Sequence, residues 1–313
     1  MVCLTESRAI KVSIVIPVYN SEQILPKLLQ VTHDAMLGVS FEIILINDGS
    51  PDNSWAIIKD FSKDYPELRG ICLTQNFGQD NAIMAGLSYS KGEYVVVMDD
   101  DLQHSPYDIP KLLAKCEEGY DVCYADYSHD KQQAYWKNIG SYMNNMQAEL
   151  LLGKPKNIYL SPFKMINRVI VDSMLMYENS YPYIDGLIFR VTKSITQVSV
   201  EHHERYASVS NYNLRKSISV FLKHMTGFSI IPLRFASLMG FIVTLIGLLL
   251  TGYYILSYFN GNTVEGWTTL VVLQLTIGGA ILMSLGVIGE YVGRLYLVVN
   301  KRPQFIVRRT TFD

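Results

Sequence analysis

The chain is 313 residues long, 49% apolar and 18% charged, with 27 Lys and Arg against 29 Asp and Glu and a mean hydropathy of +0.14. Ample apolar residues and a charged fraction below the ~25% usual for soluble proteins exclude a disordered chain, a collagen-like repeat and a small disulfide scaffold. The near-neutral sum hides a division: residues 205–313 hold 10 Lys or Arg and 3 acids, net +7, which leaves −9 for residues 1–204. An acidic first part and a basic, apolar second part argue against a nucleic-acid partner and for a catalytic head on a membrane foot.

The first eleven residues carry Glu6, Arg8 and Lys11 and no apolar run of signal-peptide length, so no cleavable leader is expected and the head is expected in the cytosol. Short β-rich runs follow at residues 12–19 (VSIVIPVY), 41–47 (FEIILIN), 70–74, 93–98 (EYVVVM) and 120–124, with helical stretches between them. Runs apolar at nearly every position suit strands covered on both faces, which predicts an α/β fold with a mostly parallel sheet. Cys3, Cys72, Cys116 and Cys123 show no CxxC spacing and no companion His at zinc intervals, and read as ordinary thiols in a reducing compartment.

In open parallel sheets ligands bind beyond the carboxyl ends of the strands, and polar residues concentrate there. The first run ends in Pro17, Tyr19 and Asn20, the second in Asn47, Asp48 and Gly49, the third leads to Asn76 and Gly78, and the fourth enters Asp99, Asp100, Asp101, Leu102, Gln103 and His104. No GxGxxG follows the first strand and no GxxxxGKS/T occurs, so neither a dinucleotide cofactor nor a P-loop is expected. Three successive carboxylates at the end of a buried strand are costly unless a cation compensates them. On an extended backbone Asp99, Asp101 and Gln103 face one side and Asp100 the other. Two carboxylates and an amide oxygen suit a Mg²⁺ or Mn²⁺ that also grips a diphosphate.

The strand-like residues 195–203 end in His202 and His203, whose adjacent side chains point apart, against a zinc pair. Residues 212–231 space Leu214, Ile218, Phe221, Leu222 and Met225 helically beside Arg215, Lys216 and Lys223, which fits a helix lying on the inner leaflet or one packed on the head. Residues 235–259 are 25 uncharged positions, about 37 Å as a helix. Residues 268–289 are also uncharged and reach about 33 Å, so the two read as a transmembrane hairpin. Cations flank it on the outside of the pair, from Arg215 to Arg234 and from Arg294 to Arg309, while the connecting loop has Glu265 and no Lys or Arg, which predicts both termini in the cytoplasm. Gly289 and Gly293 form a GxxxG around Glu290, fitting either helix packing or a Glu290–Arg294 pair.

IPVYN at residues 16–20, NDGSPDNS at 47–54, NFGQDNAIMAG at 76–86, DDDLQHSP at 99–106 and GEYVGRLY at 289–296, with the hairpin, resemble glycosyltransferase family 2. Specifically, they resemble its polyisoprenyl-phosphate branch, such as dolichol-phosphate mannose synthase and the bacterial undecaprenyl-phosphate sugar transferases. The resemblance implies a GT-A (Rossmann-like) nucleotide-sugar domain over residues 1–205, a juxtamembrane segment over 206–234, the hairpin over 235–291 and a cytoplasmic basic tail over 292–313. It implies a donor linked to UDP, GDP or dTDP, a polyprenyl phosphate acceptor (undecaprenyl or dolichyl), a multi-pass inner or plasma membrane location and, from tetrameric relatives, a homo-oligomer.

It also implies donor binding by Pro17, Tyr19, Asn20, Asp48, Asn76, Gly78, Asp99 and Asp100, with Asp48 receiving the base or ribose. Asp99, Asp101 and Gln103 would hold the metal, Asp99 and Asp101 being catalytic, and Lys164 and Arg205 would hold the acceptor phosphate. Two departures stand out. Relatives carry an Asp-containing, glycine-rich stretch ending in Phe-Arg where this chain reads Tyr159-Leu160-Ser161-Pro162-Phe163-Lys164, and a Lys where Asn211 stands. Asp185 and Asp126 are the acids that could replace the missing one. A processive polysaccharide synthase would carry more spans and a QxxRW motif, absent here. The altered 159–164 stretch fits an inactive sugar-nucleotide-binding subunit, against which Asp99, Asp101 and Gln103 stand intact.

Overall fold

The computed structural model describes residues 10–127, 158–200, 266–299 and 303–312, with isolated positions between 238 and 260. The chain divides into two units, Met1–Asn211 together with Lys301–Asp313, and Tyr212–Asn300.

In the first unit the five apolar runs read from the sequence all form strands: β1 (Val12–Val18), β2 (Phe41–Asn47), β3 (Leu68–Leu73), β4 (Tyr94–Val97) and β5 (Val122–Asp126). Three further strands complete the sheet: β6 (Lys164–Asn167), β7 (Ile195–Ser199) and β8 (Val307–Thr310). The sheet order is β7-β5-β6-β4-β1-β2-β3-β8. Strands β1 to β4 run parallel, β6 runs antiparallel between β4 and β5, and β8 runs antiparallel along β3.

Helices cover both faces, which is why the central strands are apolar at nearly every position. Helix α1 (Leu25–Ala35) buries Leu25, Leu28, Leu29 and Thr32, a helical stripe. Its leucines join Val12, Ile14, Ile16 and Val18 of β1 and Leu112 of α4 (Ile109–Glu117) in one core layer. Helix α2 (Ser54–Asp64) links β2 to β3. Val15 points to the opposite face, toward α3 (Gln79–Tyr89). There α3 approaches so closely that a Cβ on Gly86 would meet Val15 Cγ1 at 2.4 Å and Ile46 Cδ1 at 2.7 Å. Helices α5 (Arg168–Leu175) and α6 (Ile184–Val191) follow β6.

Residues 292–313, read from the sequence as a basic tail, do not all form one. Strand β8 pairs with β3 from Ile71↔Thr310 to Leu73↔Val307. Beyond it, Thr311 exchanges hydrogen bonds with Gly70 through its amide and hydroxyl, both at 2.9 Å. Phe312 lies 3.9 Å from the Arg69 guanidinium carbon and edge-on to Tyr89. The strand therefore covers the otherwise open edge of β3.

In the second unit helix α7 (Trp267–Val299) runs for 33 residues, about 50 Å at 1.5 Å per residue. Counting only residues whose side chains are described, no helix is long and apolar enough to cross a membrane. The transmembrane hairpin thus stands as an expectation from the sequence. Of the span expected over 235–259 only scattered positions are described, and the 206–234 segment, Arg205, His202 and His203 lie outside the described residues.

Phe312→Ala should lower the thermal midpoint of the purified protein, at a cost of about 1–2 kcal/mol for the lost cation–π and edge contacts. Deleting residues 304–313 should lower it further and promote association through the bared β3 edge, read by melting and by size-exclusion chromatography.

Candidate functional site

The carboxyl ends of β1 to β4 converge where the sheet order reverses around β1, and hydrogen bonds tie their loops together. Asp48, at the end of β2, is 3% exposed. Its two carboxylate oxygens accept from the amides of Phe77 at 2.7 Å and Gly78 at 2.9 Å. Burial pushes its carboxyl up, and those two amides oppose the rise. Asp48 thus anchors the loop after β3, and a base or ribose would reach it only through lone pairs left inside a closed turn. Gly49 (φ +63°) passes so close to this loop that a Cβ would lie 2.5 Å from the Gln75 carbonyl carbon, and Gly78 (φ +94°) turns the chain into α3. Asn76 is exposed at the same turn.

Tyr19 and Asn20 continue from Pro17 and Val18 of β1, with Tyr19 half exposed and Asn20 in the left-handed region at φ 60°. The Asn20 amide donates to Ser50 Oγ at 2.7 Å, joining the β1 and β2 loops. Asp100 closes the other side: its Oδ2 accepts from the Ser21 hydroxyl and, at 3.4 Å, from the Tyr19 amide. The middle carboxylate of the triad is therefore a tether.

Asp99 Oδ1 accepts from Gln79 Nε2 at 2.7 Å. Burial, then Asp101 and Asp100, push its carboxyl up to about 7. The geometry beyond Asp99 differs from the expected extended run. Strand β4 ends at Val97, Leu102 sits at φ 57°, and the Gln103 amide donates to Asp101 Oδ1 at 3.1 Å. Asp101 and Gln103 share a turn rather than a period-two face.

Strand β6, antiparallel, begins where its neighbours end, so Lys164 stands opposite Val97 and Tyr124. Its side chain is 5% exposed and ion-paired with Asp185 of α6. The Tyr124 hydroxyl donates to the same Asp185 oxygen at 2.8 Å, and Lys164 Nζ lies 5.0 Å from the Tyr124 ring centroid. The ammonium expected to hold the acceptor phosphate is thus already paired and enclosed. Of the two acids considered for the missing one, Asp126 accepts from Gln197 Nε2 at 3.0 Å and Asp185 holds Lys164.

Sequence reasoning missed Asp80 of α3. Burial, then Asp185, push its carboxyl up to about 7, with Lys164 opposing. It lies within the quoted NFGQDNAIMAG stretch, but only the fold places it beside Lys164. Gln79, which holds Asp99, lies in the same stretch without a role assigned to it, and Ser21, which holds Asp100, carried no signal beyond adjacency to IPVYN.

Among the described residues no three His, Cys, Asp or Glu side chains form a self-contained metal cage. Two carboxylates completed by a ligand's phosphate oxygens are nonetheless a common Mg²⁺ arrangement. Asp99 at the end of β4, held by Gln79, and Asp101 in the turn that follows supply two carboxylates of that chemistry.

A mostly parallel α/β sheet with acidic residues at its switch point is a ligand-binding architecture, and comparison specifies its class. Residues 13–175 match the Glycosyl transferase family 2 model, and the chain belongs to that family. It is a glycosyltransferase with a GT-A-like fold. It is 34% identical over 307 residues to the uncharacterized glycosyltransferase YkcC of Bacillus subtilis (strain 168), covering 97% of this chain and 95% of that one. It is similar to glucosyl-3-phosphoglycerate synthase from Mycobacterium tuberculosis solved with Mn²⁺, UDP and glucosyl-3-phosphoglycerate (TM-score 0.51, 16% identity, 69% of this chain and 77% of that chain). The same enzyme with Mn²⁺, UDP-glucose and phosphoglyceric acid gives a TM-score of 0.50 at 16% identity, over 69% of this chain and 77% of that chain. At this identity the likeness concerns the fold.

Asp80 and Asp99 set a sign for stability against pH. Both hold protons to about 7 when folded, against roughly 4 in an unfolded chain, so between these values the folded state binds more protons. In buffer free of divalent cations, these two groups should make the protein less stable as pH rises from about 4 to about 7, measured as melting midpoints. Added Mn²⁺ should recover stability at the upper end.

Proposed function

We propose that this glycosyltransferase moves a sugar from a nucleotide sugar onto a polyprenyl phosphate at the cytoplasmic face of a membrane, with inversion at the anomeric carbon. The observation that carries the donor half is the acidic turn Asp99–Asp101 at the β4 end, lashed to the β1 loop through Asp100 and to α3 through Gln79. The Mn²⁺ and UDP-glucose named for the mycobacterial enzyme of like fold support a nucleotide sugar and a Mg²⁺ or Mn²⁺ here. Asp99 and Asp101 would hold that cation, which supplies Lewis-acid stabilisation of a departing nucleoside diphosphate. Tyr19 and Asn76 are exposed on the loops after β1 and β3 and would flank the nucleotide.

The acceptor half rests on the second unit. In α7 the consecutive Ile281, Leu282 and Met283 are 54%, 71% and 68% exposed, and Leu285, Ile288, Val292 and Leu295 are exposed as well. Successive residues lie about 100° apart, so apolar surface faces outward on several sides of the helix. Water penalises such a surface and a bilayer does not. An enzyme tied to a membrane suits a lipid-borne acceptor, and GxxxG at Gly289 and Gly293 suits assembly into a homo-oligomer.

A lipid monophosphate has a second pKa near 6 and is largely dianionic at neutral pH, so it attacks without a strong base. That removes the need for the acid missing from residues 159–164. With Lys164 paired to Asp185, Arg205 is left as the acceptor-phosphate ligand among the cations the sequence singled out.

Purified protein in detergent with Mn²⁺ should transfer a labelled sugar from one of a panel of UDP, GDP and dTDP sugars to undecaprenyl phosphate. Asp101→Ala should reduce the rate about a hundredfold or more. Transfer undiminished in excess EDTA would overturn the metal assignment, and a polymer in place of a single glycolipid would favour a processive synthase.

A further inference from the structure

Lys164 was expected to be an acceptor ligand, yet its surroundings give it another task. Its side chain is 5% exposed, its charge is paired with Asp185, and one face of the ammonium is closed by the Tyr124 ring. Asp185 is itself fixed, because its Oδ1 also accepts from the Tyr124 hydroxyl. An acceptor phosphate could take Lys164 only by depriving the largely enclosed Asp185 of its counter-charge, a costly exchange. In the antiparallel register Lys164 stands opposite Val97, two residues before Asp99, and its charge opposes the upward shifts of Asp99 and Asp80, to the second of which Asp185 adds. The groups facing it are thus Asp185, Asp99, Asp80 and the Tyr124 ring.

We propose that Lys164 and Asp185 form a charge-balancing pair that sets the cation affinity of the Asp99–Asp101 turn, and that Lys164 is a positioning residue which does not ligate the acceptor phosphate. The proposal rests on the metal-binding reading above. A cation entering the turn is repelled by Lys164, and Asp185, paired to that ammonium, screens the repulsion, so the balance holds only while both are present. The signature is therefore a pair of opposite shifts, which a merely structural role would not produce.

The test is Mn²⁺ binding to the purified full chain at pH 8, followed by electron paramagnetic resonance without donor or acceptor. Lys164→Met should tighten Mn²⁺ binding and Asp185→Asn should weaken it, each by roughly three- to tenfold, while the double variant returns toward the wild-type value. The Michaelis constant for undecaprenyl phosphate should stay within about twofold of wild type in the double variant, even if the turnover number falls. Should Lys164→Met fail to fold, Asp185→Asn and the double variant still carry the comparison. Variants that bind Mn²⁺ as wild type does, or a double variant with a sharply raised Michaelis constant for the lipid phosphate, would overturn the proposal. Wild-type protein that binds no Mn²⁺ would instead overturn the metal-binding reading beneath it.

Discussion

The constraint on which the site depends is the cost of gathering carboxylates at the mouth of a buried parallel sheet. Asp48, Asp80, Asp99, Asp100 and Asp185 all come into its loops or beneath them, and for the first four desolvation raises the free energy of the charged form. The chain answers with hydrogen bonds that double as tethers. Asp48 takes the amides of Phe77 and Gly78, Asp100 takes Ser21 and the Tyr19 amide, Asp99 takes Gln79, and Asp185 takes Lys164 and Tyr124. Each bond joins loops distant in sequence, so satisfying the charges and shaping the cleft are one process.

This compensation is uneven, and the unevenness separates structural acids from those available to a ligand. Both oxygens of Asp48 meet backbone amides inside a closed turn, and Asp100 is spent on holding the β1 loop. Asp99 has one amide donor against burial and two acidic neighbours, and its carboxyl rises to about 7. A group so placed gains most from a cation, because the cation removes the repulsion that the fold leaves standing.

The sequence made the central sheet legible because β1 to β5 are covered on both faces and so read as unbroken apolar runs. Strands β6 and β8 have four residues each, KMIN and VRRT, with too few apolar positions in either to read as a run. They are strands because neighbours supply the pairing, β4 and β5 for β6 and β3 for β8, which no local window contains. The acidic site was legible for the same reason as the sheet, since its residues follow apolar strands directly. Its geometry was not. The period-two argument for Asp99, Asp101 and Gln103 assumed extended backbone, and Leu102 at φ 57° ends it. The Lys164–Asp185 pair spans 21 positions and two elements, and only the antiparallel start of β6 brings it to the cleft.

The altered stretch 159–164 gains its meaning from that pair. A cation standing alone at the sheet mouth could serve an incoming phosphate, whereas one already matched by a carboxylate is electrically spent. With Asp185 opposite Lys164, the region contributes almost no net charge, and the acids at β4 are left to interact with whatever cation the donor brings. Asp126, the other candidate acid, is held by Gln197, so neither replacement is poised to remove a proton. Under the proposed function, a nucleophile that arrives already ionised would need neither of these two acids as a base. A monophosphate ester meets that condition at neutral pH, and an alcohol does not.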